Sequence, residues 1–233
     1  MYTKDLAITL TKRSADDASN FYILYTQKRG LQKVKVRGAK KSLSKMAGHL
    51  EPPALTEVFV ASGKNINYIA GANLVKRFEL NSLEKYRIQF WLAKLILQLI
   101  RENSGDLKTW ILLNNFYKRL EEVEKENELI LLKNIFLWQL GSTLGFKVDF
   151  ERCLSCGELA EKNYLDFEKG GIFCEKCKSE QSQVISNEVL QILRIIGKKE
   201  IDEILKDFND FNDFNAFNDL TLKYWQYRFE VKL

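Results

Sequence analysis

The chain has 233 residues with four cysteines and one histidine, and the cysteines are spaced for metal chemistry. Cys153 and Cys156 form one CxxC pair, and after seventeen residues Cys174 and Cys177 form a second. Each CxxC turn aims two thiolates at one ion, and two such turns complete a tetrahedron with sulfur about 2.3 Å from zinc. Gly157 follows the second cysteine and Gly170-Gly171 precede the third, where the chain must turn tightly. Other uses of four cysteines fit less well. A redox CxxC stands singly in a βαβ setting, two disulfides need an oxidising compartment, and bacterial iron–sulfur clusters space their ligands more densely. The spacing therefore predicts one structural Zn2+ on Cys153, Cys156, Cys174 and Cys177. Four thiolates leave no open position for a catalytic water, which argues against an enzyme built on this site.

No other motif promises catalysis. The chain lacks GxxxxGK[ST], GxGxxG and GxSxG. His49 has no evident acid–base partner and reads as a surface or packing residue. The expectation is a protein that binds rather than one that makes or breaks bonds.

The second chemical signal is charge. Residues 1–50 hold eleven Lys or Arg against Asp5, Asp16 and Asp17, an excess of eight positive charges. The whole chain carries +5, so the remainder is net −3. Such asymmetry suggests a polyanion-binding module joined to a near-neutral body. The candidate DNA-binding set is Lys28, Arg29, Lys33, Lys35, Arg37, Lys40, Lys41 and Lys45. Small residues between them, Gly38-Ala39 and Ser42, let a phosphate backbone approach. Phe21, Tyr22 and Tyr25 would stack on bases if they faced outward, but are assigned here to a core.

These residues must be carried by definite elements. Ala7–Thr11, Phe21–Thr26, Leu31–Arg37, Leu55–Ala61 and Asn65–Ala70 are rich in β-branched and aromatic residues and read as short strands. In the third, Val34 and Val36 alternate with Lys33, Lys35 and Arg37, which predicts one buried and one cationic face. Short strands within 79 residues suggest a small barrel, with the OB type leading because it suits oligonucleotides. Near Asn81 the period changes to about 3.6. Asn81 with Glu84 resembles a helix N-cap, and Leu83, Tyr86, Phe90, Trp91, Leu95, Ile96, Leu99 and Ile100 then make an apolar face expected to point inward. Further helices are expected over Leu107–Glu124, Glu128–Leu144 (capped by Gly145), Asn187–Ile196, Ile201–Phe208 and the last dozen residues. A period-three repeat spaces Phe208, Phe211, Phe214 and Phe217 through residues 207–219. It reads as a helix or loop extension whose rings cover the core.

The fold expected is therefore α+β and multidomain. Residues 1–79 form an OB-type β-barrel, and residues 80–233 form a helical domain with a four-cysteine zinc knuckle inserted at 149–180. The most apolar stretch, Phe90–Ile100, is interrupted by Lys94 and Gln98 and is too short to span a bilayer. Its N-terminus lacks a signal peptide's apolar core, so a cytoplasmic protein is expected.

The order of these features resembles the RecO family of bacterial recombination mediators. The resemblance rests on Thr26 with Gly30, Gly38-Ala39-Lys40-Lys41, Leu50-Glu51-Pro52, Leu144-Gly145-Phe146 leading to Arg152-Cys153-x-x-Cys156-Gly157, and Phe167-x-x-Gly170-Gly171-Ile172-x-Cys174-x-x-Cys177. It spans residues 1–233 and is most specific at 144–177. It implies binding to single- and double-stranded DNA, annealing of complementary strands, and work with RecR to load RecA onto DNA coated by single-stranded DNA-binding protein. Contact with that protein's acidic C-terminal tail, and a cytoplasmic, nucleoid-associated location, go with it. The loose acidic loop at residues 14–19 and the phenylalanine repeat depart from the family pattern. The runner-up is an RNA-binding module of OB and zinc-ribbon type acting in translation or RNA processing.

Overall fold

A computed structural model describes residues 2–41, 44–159, 162–208, 211 and 213–230. Ser42 and Leu43 of the cationic loop, and Asn209, Asp210 and Asn212 of the repeat, lie outside the described residues. The chain forms two compact units, Met1–Glu122 and Val123–Leu233.

The first unit opens with strands β1 (Tyr2–Ser14), β2 (Asn20–Thr26) and β3 (Gly30–Val36), then a short helix α1 (Lys45–His49), then β4 (Ala54–Ala61) and β5 (Asn67–Arg77). β1 pairs antiparallel with both β2 and β4, β2 with β3, and β4 with β5. The ring order β1-β2-β3-β5-β4 is completed by a parallel join of only two pairs, Val34 with Asn67 and Lys35 with Tyr68. It is thus laced at one point, as in the partly open OB-type barrel. Tyr22, Leu24, Val34, Val36 and Val58 fill the interior, and every second residue of β3 points away from it. The strand alternation of residues 33–37 is thus realised as expected.

Helices α2 (Leu83–Leu99) and α3 (Leu107–Glu122) complete this unit. The change of sequence period falls near residue 80, whereas the compact units divide after Glu122. Two further details differ from expectation. Ser82, not Asn81, caps α2, its hydroxyl accepting from the Lys85 amide. More consequentially, Leu83, Tyr86 and Phe90 are exposed, and the helix turns Lys85, Ile88, Gln89, Leu92 and Ile96 inward. The reason is polar: Lys85 Nζ donates to the Glu121 carbonyl at the end of α3, and Gln89 Nε2 donates to the Leu10 carbonyl of β1. Burying unsatisfied carbonyls costs about 1–3 kcal/mol each, so these side chains outrank apolar ones at those positions.

Between α2 and α3 the chain folds back onto β3. The Leu31 amide donates to the Ser104 carbonyl, and the Asn103 amide donates to the Leu31 carbonyl. Gly30 permits this approach. Its φ is +68°, and a Cβ there would sit 2.2 Å from the Ser104 oxygen.

The second unit contains α4 (Glu126–Thr143), the strands β6 (Asn163–Asp166), β7 (Gly171–Cys174) and β8 (Gln183–Ile185), and helices α5 (Asn187–Ile196), α6 (Ile201–Asp207) and α7 (Phe214–Phe229). α4 buries ten of its 18 residues, and the later helices pack against it. Trp138 stacks on Tyr224 with centroids 4.5 Å apart and donates to Thr221 Oγ1. Within the phenylalanine repeat, Phe208 ends α6, and Phe214 and Phe217 lie in the first turn of α7. Phe211 and Phe217 are buried, and Phe208, Phe214 and Phe217 all set rings edge-on to Phe211. The rings cover core as expected of a helix or loop extension, Phe214 and Phe217 doing so from α7.

Candidate nucleic-acid face and metal centre

Of the eight cationic residues singled out in the sequence, five gather at one end and on the outer face of the β2–β3 hairpin. Lys33 and Lys35 project from β3 opposite Ile23 and Phe21, with Lys33 Nζ 4.6 Å from the Phe21 ring centre. Arg37 lies 4.4 Å from the ring centre of Tyr68 on β5. Lys40 reaches back to Ser14 Oγ at 2.7 Å, and Lys41 is exposed beside it. Lys28 and Arg29 do not join them. They occupy the opposite turn of the hairpin, roughly 20 Å away along a seven-residue strand, where Arg29 donates to Thr3 Oγ1. Lys45 opens α1 on a separate element.

Sequence reasoning missed Tyr68, whose half-buried ring carries Arg37, and Arg13, which lines a groove of about 380 Å³ with Phe21, Lys33 and Leu97. Tyr22 and Tyr25 are fully buried as assigned, whereas Phe21 is half-buried and keeps an outward edge. Rings under cations on an open strand face can both stack and neutralise. One carboxylate intrudes. Asp16 sits 2.6 Å from Lys35, and that ammonium, with the Ala18 amide, holds its carboxyl well below the usual carboxylate range. His49 bonds through Nδ1 to the Ala72 carbonyl, a packing role.

The cysteines converge. The Gly157 amide closes the first knuckle turn on the Cys153 carbonyl, and the Cys177 and Lys178 amides close the second on the Cys174 carbonyl. The two turns are brought together by β6–β7 pairing, and the Leu154 amide donates to the Ile172 carbonyl. Gly171 lets Leu154 pack directly over the strand, since a Cβ there would lie 2.3 Å from Leu154 Cδ1 and push that side chain aside. The knuckle is held to its unit by Arg194 of α5, which donates to the Phe150 carbonyl, and by Phe167 edge-on to Tyr224 of α7.

All four thiols are free, and their sulfurs lie within 4.8 Å of one another. Cys156 and Cys174 Sγ are 3.8 Å apart, the edge expected, at about 3.8 Å, for a tetrahedron of sulfurs about 2.3 Å from zinc. Burial pushes the Cys153 thiol up, but the Cys156 and Cys174 amides outweigh it and bring it to about 6. The Glu158 amide draws Cys156 down, yet the neighbouring sulfurs drive it up to about 12, and Cys174 likewise raises Cys177. A set of sulfurs that resist joint ionisation is one that a dication would stabilise. The geometry suits a metal ion. Among the described residues no other group of three or more His, Cys, Asp or Glu is placed to share one, and no helix is long and apolar enough to cross a membrane.

Fold and site together define a class: an OB-type barrel with a cationic outer face, followed by a helical unit bearing a four-cysteine cluster. Two family models match in tandem, "Recombination protein O N terminal" over residues 1–78 and "Recombination protein O C terminal" over residues 80–225. The chain is 30% identical over 209 residues to "DNA repair protein RecO" of a Dehalococcoides mccartyi strain, covering 87% of this chain and 81% of that one. It is 24% identical over 233 residues to the protein of the same name from Desulforamulus reducens, covering 97% and 90%. This chain belongs to the RecO family, which gives it a role in recombinational DNA repair.

Proposed function

We propose that the protein is a strand-annealing recombination mediator that binds single- and double-stranded DNA through the barrel. With RecR it loads RecA onto DNA coated by single-stranded DNA-binding protein, in the cytoplasm at the nucleoid. The observation that carries the reading is the outward cluster of Lys33, Lys35, Arg37, Lys40 and Lys41 beside Phe21 and Tyr68, in a chain of this family. Those cations neutralise backbone phosphates with little readout of base edges, so binding tolerates any sequence. With phosphate repulsion screened, two complementary strands approach and base pairing supplies the specificity. No covalent step is needed.

Zn2+ on Cys153, Cys156, Cys174 and Cys177 serves as a structural ion. It supplies cross-linking of the two knuckle turns, and its binding energy is folding energy for β6–β8. The acidic tail of the single-strand-binding protein suits the second unit. There a cavity of about 350 Å³ is lined by Trp138, Phe146, Phe150 and Leu193, and at its edge Lys147, Arg194 and Lys198 outnumber Asp149 and Glu151.

The deciding experiment follows annealing of complementary fluorescent DNA strands, bare and coated, with and without RecR. Acceleration of annealing that depends on the barrel cations supports the reading. Equal binding to DNA without any acceleration, or strict preference for RNA, sinks it.

A further inference from the structure

The outward side of α2 is unexplained by the core or by the barrel face. Leu83, Arg87, Phe90, Lys94, Leu97 and Arg101 recur at intervals of four, three, four, three and four residues, so they share one side of the helix and its immediate extension. Apolar and cationic residues alternate along this line. Leu83 is 67% and Phe90 62% exposed, with Tyr86 beside them at 43%. Arg87, Lys94 and Arg101 are exposed and Leu97 half-buried. A helix ordinarily turns its Leu and Phe inward, but here Lys85 and Gln89 occupy inward positions. Two carboxylates lie nearby: Glu84 pairs with Arg87 at 3.4 Å, and Glu102 accepts from the Lys33 amide. Lys94 and Arg101 have no ion pair among the described residues.

The stripe runs about 20 Å from Leu83 to Leu97 at a rise of about 1.5 Å per residue. It ends where the barrel face begins. Leu97 lines the groove with Arg13, Phe21 and Lys33, and Leu97 and Arg101 border a neighbouring groove of about 330 Å³ that also contains Lys33.

We propose that this stripe is a second segment of a single-stranded nucleic-acid track. A strand leaving the barrel face continues along α2, with phosphates on Arg101, Lys94 and Arg87 and bases against Leu97, Phe90 and Tyr86. The inference rests on the proposed DNA-binding role of the barrel. A strand, rather than an acidic peptide, is the occupant favoured. An amphipathic peptide needs an apolar groove for its anchors, and a lone helix ridge is convex, whereas base stacking needs only an exposed ring beside a cation.

The test compares the whole protein with a variant carrying Arg87→Gln, Phe90→Ala and Lys94→Gln. Binding is measured to labelled oligothymidylates of about 8 and about 16 nucleotides, lengths within the footprint range of OB folds. The variant should bind the short strand like the parent and the long one about tenfold more weakly. Its salt slope on the long strand should be shallower by about 1.4, or about 0.7 for each of two phosphates. Matched melting curves establish folding, and the charge-only variant Arg87→Gln/Lys94→Gln should give the slope change alone. Unchanged affinity at both lengths overturns the proposal, as does equal loss at both. Loss of binding to an acidic peptide with DNA binding intact also overturns it. A barrel variant, Lys33→Gln/Lys35→Gln/Arg37→Gln, separates the two readings. It should weaken both lengths, and if it weakens neither, the barrel reading falls and the track with it.

Discussion

Replacing Lys35, Arg37 and Lys40 together with Ala tests whether the outer face of the barrel meets DNA through its charge. With Lys33 and Lys41 these side chains offer five phosphate contacts, so log affinity for single strands should fall with log salt at a slope of about −3.5. Raising salt from roughly 50 to 200 mM then weakens the parent about 130-fold. Three contacts fewer leave a slope of about −1.4, and the same change in salt costs the variant only about sevenfold. Little of this effect can come from damage to the fold. Lys35 pairs with exposed Asp16, a contact screened by water. Arg37 over Tyr68 contributes about 0.5–1 kcal/mol as an exposed cation–π pair. The melting temperature should drop by a few degrees at most, at about 2–4 °C per kcal/mol. Fluorescence anisotropy across a salt series, on two unrelated strand sequences, reads the slope. A variant that keeps the parent's slope and affinity would refute the reasoning, and these cations would then serve solubility alone.

Asp16→Asn should strengthen single-strand binding, because it removes the carboxylate that competes with phosphate for Lys35; a weaker variant would show that Asp16 positions the loop instead. Purified protein should carry close to one zinc per chain by elemental analysis, and Cys156→Ser should lower that content; iron, or no metal, counts against the assignment. Chelation should remove hydrogen-exchange protection from β6–β8 before the rest of the second unit, and metal retention should fall as pH drops because ligation needs deprotonated thiols. Phe217→Ala, at a position with no exposure, should cost about 3–5 kcal/mol in denaturant titration yet leave the salt slope of DNA binding untouched.

What could be read in the sequence was local. The cysteine pairs are close in the chain, and each CxxC turn needs only its own backbone, so the sulfur cluster was foreseeable before the strands that join its halves. Lys33, Lys35 and Arg37 alternate with valines that must go inside, so their outward placement followed from the period of a strand. What was not legible depends on partners distant in sequence. Gln89 and Lys85 go inward because carbonyls at Leu10 and Glu121 require donors, and nothing near residues 85–89 announces that. The exposure of Leu83, Tyr86 and Phe90 is the other side of the same fact. Tyr68 joins the cationic face only through the parallel join of β3 to β5, a pairing across more than thirty residues. A Phe at every third residue also does not say which element carries each ring: Phe208 ends α6, Phe214 and Phe217 belong to α7, and all three meet edge-on at Phe211.

The fold-back of residues 102–104 onto β3 has a consequence for how this protein behaves in a crowd. β3 meets β5 over only two residue pairs, which would leave part of its backbone ready to recruit a strand from another molecule. Instead Ser104 and Asn103 bond to Leu31, and Glu102 takes the Lys33 amide. The hairpin that carries the cations is thus shielded from self-association by a loop rather than by a neighbouring strand. Gly30 is the residue that admits that loop. Its replacement by a larger residue would open a sticky seam, and the first symptom would be aggregation on concentrating the protein, ahead of any loss of charge or metal.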